Sequence, residues 1–461
     1  MKKINLIIIL AAIVIVSSCR KIVPMDEQSP NAFPGATADL MIAGPQMATV
    51  MVAEEELARY AGIFDNQFTG SDRQYVSVNN YTVTRGDFDN VWSTIYVDGV
   101  KNCRIIQTKA TATGNKSQLG VAQILEAYLI GTATSLWGDV PFSQAVDVEN
   151  FPNPVFDKQS DVYAGIQKLL DEGIANIGSK AVGEFGSVYN ASGVSWAQVA
   201  NSLKARYYLH TGDYANAVTA ATNGISGGDW EANHDVSGWT DGKFNLMFSF
   251  MVWHREGYMT ANGAYLPQLL DPNSTTNRYN AKTLDTARFN YMYMDASACW
   301  YCSDYDPNYW SGGIFMRDVA YPLFSQLENE LILAEAKLMT SDAAGALTNL
   351  NAAREYWDTK FSVDEYQDYV LTDFDAGGIA DHSKGNQTDN LRFEILQEKY
   401  AALMGQIEPW NDMRRTKNFI DLPLKTGSKY PERFLVPQSE INSNTSAPKD
   451  KELFDPTEVN M

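Results

Sequence analysis

One thirteen-residue pattern occurs twice in this chain, and it constrains the fold more than any other feature. Residues 205–217, Ala-Arg-Tyr-Tyr-Leu-His-Thr-Gly-Asp-Tyr-Ala-Asn-Ala, recur 129 positions later as residues 334–346, Ala-Glu-Ala-Lys-Leu-Met-Thr-Ser-Asp-Ala-Ala-Gly-Ala. Leu209/Leu338, Thr211/Thr340, Asp213/Asp342, Ala215/Ala344 and Ala217/Ala346 are identical pairs. Each copy reads as a helix, a tight Gly-Asp or Ser-Asp turn whose Asp caps the next helix, and a second helix in which Ala permits close packing. The chain is therefore expected to consist mainly of stacked helix pairs.

Ala205, Ala217 and Gly224 fall at the spacing of tetratricopeptide repeats, with Tyr208 expected in the groove between the two helices. Leu119 to Trp137 is Ala-rich and apolar on more than one face, which predicts a buried helix. Val162, Ile166, Leu169, Leu170, Ile174 and Ile177 recur at helical spacing and predict another. The expected fold is mainly α, a tetratricopeptide-like helix-pair scaffold. Between the two clear copies, residues 229–313 differ: Gly, Asn, Asp, Pro and Ser punctuate short apolar runs and no helical period is sustained. That segment reads as a loop-rich, aromatic-rich insertion forming a ligand face.

At the N-terminus, Lys2-Lys3 precede an apolar run, Ile4 to Val16, which closes with Ser17-Ser18-Cys19. This is the pattern of a secretion signal ending in a lipobox, and the apolar run is far shorter than the roughly 20 residues a membrane span needs. Residues 1–18 are thus expected to be a lipoprotein signal peptide and 19–34 a tether lipidated at Cys19, with 35–461 a single domain. Diacylglycerol and palmitate-type acyl chains, at about 0.8 kcal/mol per buried methylene, would hold such a protein on a membrane.

A net charge of −20 with no Lys/Arg cluster excludes a nucleic-acid partner, because there is nothing to displace the counterions of a polyanion. Of the four cysteines, Cys103 stands alone and Cys299-Trp300-Tyr301-Cys302 forms one C-x-x-C. Zinc would need two further ligands, and His210, His234, His254 and His382 are scattered, so the pair reads as a disulfide or two free thiols and no metal is expected. Asp304-Tyr-Asp-Pro-Asn308 has the D-x-D-x-N spacing of a calcium loop but lacks Gly at its sixth position and Glu at its twelfth. No nucleophile elbow, phosphate loop or zinc-protease signature occurs, and no cofactor is expected. A glycosidase needs only two carboxylates, so a hydrolase stays open beside a binding protein.

Five motifs resemble those of the SusD/RagB family of nutrient-binding outer-membrane lipoproteins, most closely its SusD-like branch. They are Asn90-Val-Trp-Ser-Thr-Ile-Tyr96 with Lys101-Asn102, Leu136-Trp-Gly-Asp-Val-Pro-Phe142, Ile395-Leu-Gln-Glu-Lys-Tyr-Ala-Ala-Leu403, Trp410-Asn-Asp-Met-Arg-Arg415 and Arg433-Phe-Leu-Val-Pro-Gln-Ser-Glu-Ile-Asn442. The resemblance implies a binding protein rather than an enzyme. It would capture oligosaccharide or peptide and pass it to a SusC-like TonB-dependent outer-membrane barrel transporter. One departure is that Arg20-Lys21 follow the lipidated cysteine where surface-displayed members carry acidic residues. A different reading is a helical-repeat adaptor that binds only protein. Within the motifs, Trp92, Tyr96 and Trp137 are expected to be core aromatics, and Glu398, Asp412, Arg414 and Arg415 an ion-pair scaffold. Glu54-Glu55-Glu56 is expected to be a solvated helix face.

Trp230, Trp239, Trp253, Trp300 and Trp310 place half of the ten tryptophans in the insertion, where Tyr258, Tyr265, Tyr279, Tyr291, Tyr293, Tyr301, Tyr305 and Tyr309 join them. Exposed flat rings present apolar faces to the C–H face of a sugar. The tightest cluster, Trp300-Tyr301 with Tyr305, Tyr309 and Trp310, is the first candidate ligand site; packing of these rings onto the helices is the competing reading. The polar loop Thr69-Gly-Ser-Asp-Arg-Gln-Tyr75 is the second, with Asp72, Arg73 and Tyr75 placed to pair hydroxyls, or else forming an ordinary turn.

Overall fold

The structure is a computed structural model that describes residues 37–190, 193–236, 243–294, 305–310 and 312–460. Cys19 and the lipobox lie outside these, as do Trp239, Cys299, Trp300, Tyr301 and Cys302.

Helices Ala43–Glu54 (α1) and Glu56–Phe64 (α2) are separated by a break at Glu55, and the short strand Thr69–Gly70 (β1) follows. Lys101–Thr113 (α3) ends at Gly114, whose φ of 70° lets the chain turn straight into Lys116–Trp137 (α4), capped by the Asn115 side chain. By length and composition α4 could cross a membrane, but 94% of its apolar window is buried in the fold, as expected of a core helix. Gln159–Ile177 (α5) packs against it so closely that a Cβ at Gly120 would lie 2.6 Å from the Ile177 nitrogen.

The two copies of the repeat are Trp196–His210 (α6) with Tyr214–Thr222 (α7), and, beyond the strands Trp230–Ala232 (β2), Met259–Thr260 (β3) and Tyr321–Phe324 (β4), Gln326–Met339 (α8) with Ala343–Phe361 (α9). Both aspartates cap as expected: Asp213 accepts from the Asn216 N–H and Asp342 from the Gly345 N–H. Gly224 is needed where it stands, since a Cβ there would fall 2.6 Å from Ser202 Oγ and Asn329 Oδ1. The deeply buried ring of α6 is Tyr207, lying over Gly131 of α4, whereas Tyr208 is only half-buried. Neighbouring helices stack in succession from α3 to α9, and α7 packs directly on α8 although the whole insertion separates them in sequence. Gln387–Ala402 (α10) packs on α8, and Glu408–Arg415 (α11) follows. The fold is the mainly α, tetratricopeptide-like scaffold that the repeat implied.

Trp92, Tyr96 and Trp137 are buried, with Trp92 on Tyr96 at 4.6 Å and on Trp137 at 5.3 Å. Asp412 pairs with Arg415 at 2.7 Å and Lys399 at 3.0 Å, and Arg415 also pairs with Glu335. Arg414 departs from the ion-pair expectation: it donates to the Ser135 and Glu432 carbonyls and lies over the Trp410 ring. Glu398 belongs to a buried cluster described below.

The acidic run is a correction. Glu54 is fully buried, accepting from the Leu246 N–H at 2.6 Å and from His234 Nε2 at 2.9 Å, while Glu55 and Glu56 are half-buried beside the helix break. A carboxylate can afford such a position only because its oxygens are engaged; Glu54 ties the insertion to α1.

Candidate functional site

Four ties hold the insertion in place. β2 pairs antiparallel with β4, so the segment leaves and re-enters along one ladder. β1 pairs with β3, Thr69 opposite Thr260, joining the 69–75 loop to the insertion. Glu54 is the third. The fourth is a buried charge cluster in which Arg278 pairs with Asp285 at 2.7 Å and Glu398 of α10 at 2.5 Å, and Arg288 pairs with the same two carboxylates at 3.1 and 2.9 Å. Burial would raise the Asp285 carboxyl, but Arg278 and Arg288 outweigh it and hold the group at about 2. Burial also works against Glu394, which His382 at 2.8 Å and Arg278 keep at about 2.

The 69–75 loop is thus joined to residues 257–260 of the insertion. Ser71 donates through N–H and Oγ to the Tyr258 and Gly257 carbonyls, and Arg73 Nη1 donates to Tyr258 Oη at 2.7 Å. Asp72 and Arg73 are exposed. Arg73 has φ 46° and ψ −129°, a conformation disfavoured for a side-chain-bearing residue, which these contacts sustain. Tyr75 faces inward: it is 2% exposed, its hydroxyl accepts from Arg59 Nε at 2.7 Å, and its ring packs on Phe250. Burial pushes that phenol up to about 12. Tyr75 supports the loop from beneath and offers no free face.

Much of the insertion's aromatic content is packing. Trp230 and Tyr293 are buried, Trp230 against Trp196, Tyr128 and Tyr189, so a loop segment does bury large rings when a helical wall stands behind it. Tyr305 is half-buried and donates to Asp271 Oδ2 at 2.5 Å, acting as a brace. Tyr309 is half-buried too. Trp310 is 53% exposed and Trp253 55%, and they are the two exposed tryptophans among the described residues. A run of rings connects them: Trp253 to Phe244 at 6.3 Å, Phe244 to Phe248 at 5.8 Å, Phe248 to Tyr309 at 6.5 Å and Tyr309 to Trp310 at 6.2 Å.

Local sequence explains both presentations. Asn245 caps the turn beginning at Leu246, which continues as a π-helical turn over Ser249–His254, closed by the Arg255 N–H on the Phe250 carbonyl. The wider turn sends Phe250 and Met251 inward and Trp253 outward. Asn308 accepts from the Trp310 N–H at 3.1 Å, and Gly313 lies so near it that a Cβ would meet the Asn308 oxygen at 2.3 Å. Asp306 accepts from Thr260 Oγ1 at 2.6 Å. Two of the three calcium-spaced residues therefore serve as loop fasteners, and Asp304 lies outside the described residues. Among the described residues no group of His, Cys, Asp and Glu is placed to hold a metal, and Cys103 is a lone buried thiol whose pKa burial pushes up. Trp253 was one aromatic among many in the sequence, and its spacing of three from Phe250 would have put both rings on one helical face; the π-helical turn separates them.

A family model described as "Starch-binding associating with outer membrane" matches residues 36–437. The chain belongs to the SusD-like family. A SusD/RagB family protein from Bacteroides thetaiotaomicron superposes with a TM-score of 0.62 at 21% identity, over 89% of this chain and 95% of that one. A SusD homologue from Bacteroides fragilis gives 0.65 at 17% identity, over 92% and 99%. A chitin-binding protein gives 0.60 at 17% identity, over 87% and 94%. These structures share the fold of this chain over 87–92% of its length. Comparison with curated proteins finds no match.

Proposed function

We propose that this SusD-like protein is a glycan-capturing lipoprotein of the outer membrane, anchored through Cys19, that passes oligosaccharide to a TonB-dependent barrel transporter. The observation that carries the reading is the pair of exposed tryptophans, Trp253 and Trp310, mounted on braced loops of the insertion to which exposed Arg73 is joined through Tyr258. Indole faces suit the C–H face of a sugar, and the neighbouring carboxylate and guanidinium suit its hydroxyls. The family description, starch-binding, and the chitin-binding relative support a glycan ligand over a peptide. The ligand platform is Trp253, Tyr309 and Trp310 with Asp72 and Arg73; Trp300 and Tyr301 belong to the same insertion and remain part of it.

Isothermal titration of the purified protein against starch- and chitin-derived oligosaccharides and a set of peptides tests this. Binding of an oligosaccharide without release of shorter products is the expected result. Absence of glycan binding, with retention of protein partners alone, would replace it by the adaptor reading.

A further inference from the structure

Three cations from distant parts of the chain converge on the small sheet formed by β1 and β3. Tyr258, just before β3, has the Arg73 guanidinium 5.2 Å from its ring centre and the Arg255 guanidinium 5.7 Å from it. Thr69 of β1, opposite Thr260 in the ladder, accepts from Lys425 Nζ at 3.2 Å. Arg73 and Arg255 are exposed, and Lys425 is half-buried.

These charges are poorly compensated. Arg255 donates to the His254 carbonyl at 2.8 Å, and among the described residues neither Arg255 nor Lys425 has a carboxylate within 4.0 Å. Arg73 has one, Asp72 at 3.5 Å, in an exposed pair of the kind that contributes little. Glu256, the other exposed carboxylate on these turns, forms no ion pair among the described residues. Burial lowers the Lys425 ammonium to about 8; Asp65 opposes this, yet that carboxyl is itself fully buried and pushed well above its usual range. Three cations beside two exposed carboxylates invert the balance of a chain with 56 acidic and 36 basic residues. Arg73, moreover, holds its place on a strained backbone, the kind of cost that persists where a side chain has work to do.

We propose that these cations read negative charge on the glycan, so that the ligand is an oligosaccharide bearing uronic acid carboxylates. The proposal rests on the reading of Trp253 as a stacking ring. Arg255 follows Trp253 by two residues, which span at most about 7 Å between Cα atoms, so a guanidinium stands close to any sugar on that indole. A planar guanidinium grips a carboxylate through two parallel N–H···O bonds, and Lys425 adds a point charge behind. A neutral glycan would leave all three cations to solvent.

Calorimetric titration of the full chain in detergent tests this with matched pairs: oligogalacturonate and its methyl ester, and xylo-oligosaccharide with and without a glucuronic acid branch. Starch- and chitin-derived oligosaccharides and oligoglutamate run beside them. The acidic member of at least one pair should bind about tenfold tighter than its neutral partner, since each exposed ion pair adds little and three act together. Raising NaCl from about 50 to about 500 mM should narrow that ratio. Arg255→Gln and Lys425→Met should each narrow it about twofold or more, and the double variant should narrow it further than either alone. Equal affinity within both pairs, a ratio unmoved in the double variant, or tighter binding of oligoglutamate than of any glycan would overturn the proposal. Binding of starch or chitin oligosaccharide alone would overturn it and leave the platform standing, whereas no glycan binding at all would defeat both. If the variants unfold, the matched pairs and the salt series on the unmodified chain still decide.

Discussion

Replacing Trp310 by Ala separates a binding ring from a packing ring. A tryptophan carries up to about 250 Å² of surface, so 53% exposure leaves roughly 130 Å² facing solvent. A sugar stacked on one side of the indole would cover about half of that, and at about 25 cal/mol per Å² the contact contributes roughly 1.5 kcal/mol. Affinity should then fall about tenfold. The buried half also contributes to folding, so some loss of melting temperature accompanies the change, with roughly 3 kcal/mol as an upper bound from the same area argument. Trp310→Phe restores packing and part of the face, and should recover stability more fully than affinity. Trp253→Ala, at 55% exposure, should behave as Trp310→Ala does. Trp230→Ala is the contrast: a fully buried indole whose loss should cost about 3–5 kcal/mol of stability. Calorimetric titration with the best oligosaccharide, well below the melting temperature of each variant, makes the measurement. Unchanged affinity in both Trp253→Ala and Trp310→Ala would refute the platform.

Glu398→Ala leaves Arg278 and Arg288, both essentially buried, sharing Asp285, with Glu394 3.9 Å from Arg278 as the other remaining carboxylate, and should cost about 3–5 kcal/mol in urea unfolding; a loss under 1 kcal/mol would show the cluster to be dispensable. The depressed Asp285 and Glu394 carboxyls fix an acid dependence. Their folded pKa values lie below the unfolded ones, so their contribution is complete above about pH 5 and disappears as the pH falls toward 2, on the order of 2–3 kcal/mol each. Urea midpoints flat from pH 5 to 2 would contradict this, and Asp285→Asn should flatten part of the slope. Cys19→Ala should release the protein from membranes with its melting temperature unchanged, since on the proposed reading it removes only the acyl anchor; detergent-free washes of fractionated cells that leave the variant bound, in a strain lacking the proposed barrel partner, would argue against a lipid anchor.

The scaffold was legible because its determinants are local. A repeated Leu-x-Thr-x-Asp-x-Ala-x-Ala pattern specifies helix, turn and cap within thirteen residues, and both Asp213 and Asp342 do cap. What escaped depended on contacts distant in sequence. Glu54 sits in a run of three acids that looks solvated until Leu246 and His234 arrive from nearly two hundred residues away. Tyr75 ends a polar loop, yet Arg59 and Phe250 enclose it. Tyr207 and Tyr208 are adjacent and identical in type, and only the position of Gly131 in α4 decides which of them is swallowed by the core. For the insertion, aromatic density did not distinguish buried rings from exposed ones: Trp230 has a helical wall behind it and Trp253 is 55% exposed.

The buried charges under the insertion raise the question of why apolar residues were not used there, since a well-packed apolar replacement for a buried ion pair is often as stable or more so. Position is the better account. Arg278, Arg288, Asp285 and Glu398 engage one another at fixed donor and acceptor angles, and Tyr366 adds a 2.6 Å hydrogen bond to Asp285, so only one seating of the segment on α10 satisfies all of them. An apolar contact would tolerate sliding of the segment by an ångström; this one does not. Trp310 follows that segment in the chain, linked back to it by the Asn308 N–H on the Met292 carbonyl. Fixing the base therefore fixes where the indole stands relative to Asp72 and Arg73, and lowers the ordering cost that binding would otherwise incur. On this reasoning Glu398→Gln, measured under conditions where it remains folded, should weaken oligosaccharide affinity although Glu398 is buried beneath the platform and touches no ligand. Affinity equal to that of the unmodified protein would mean that the loops hold their geometry without the cluster.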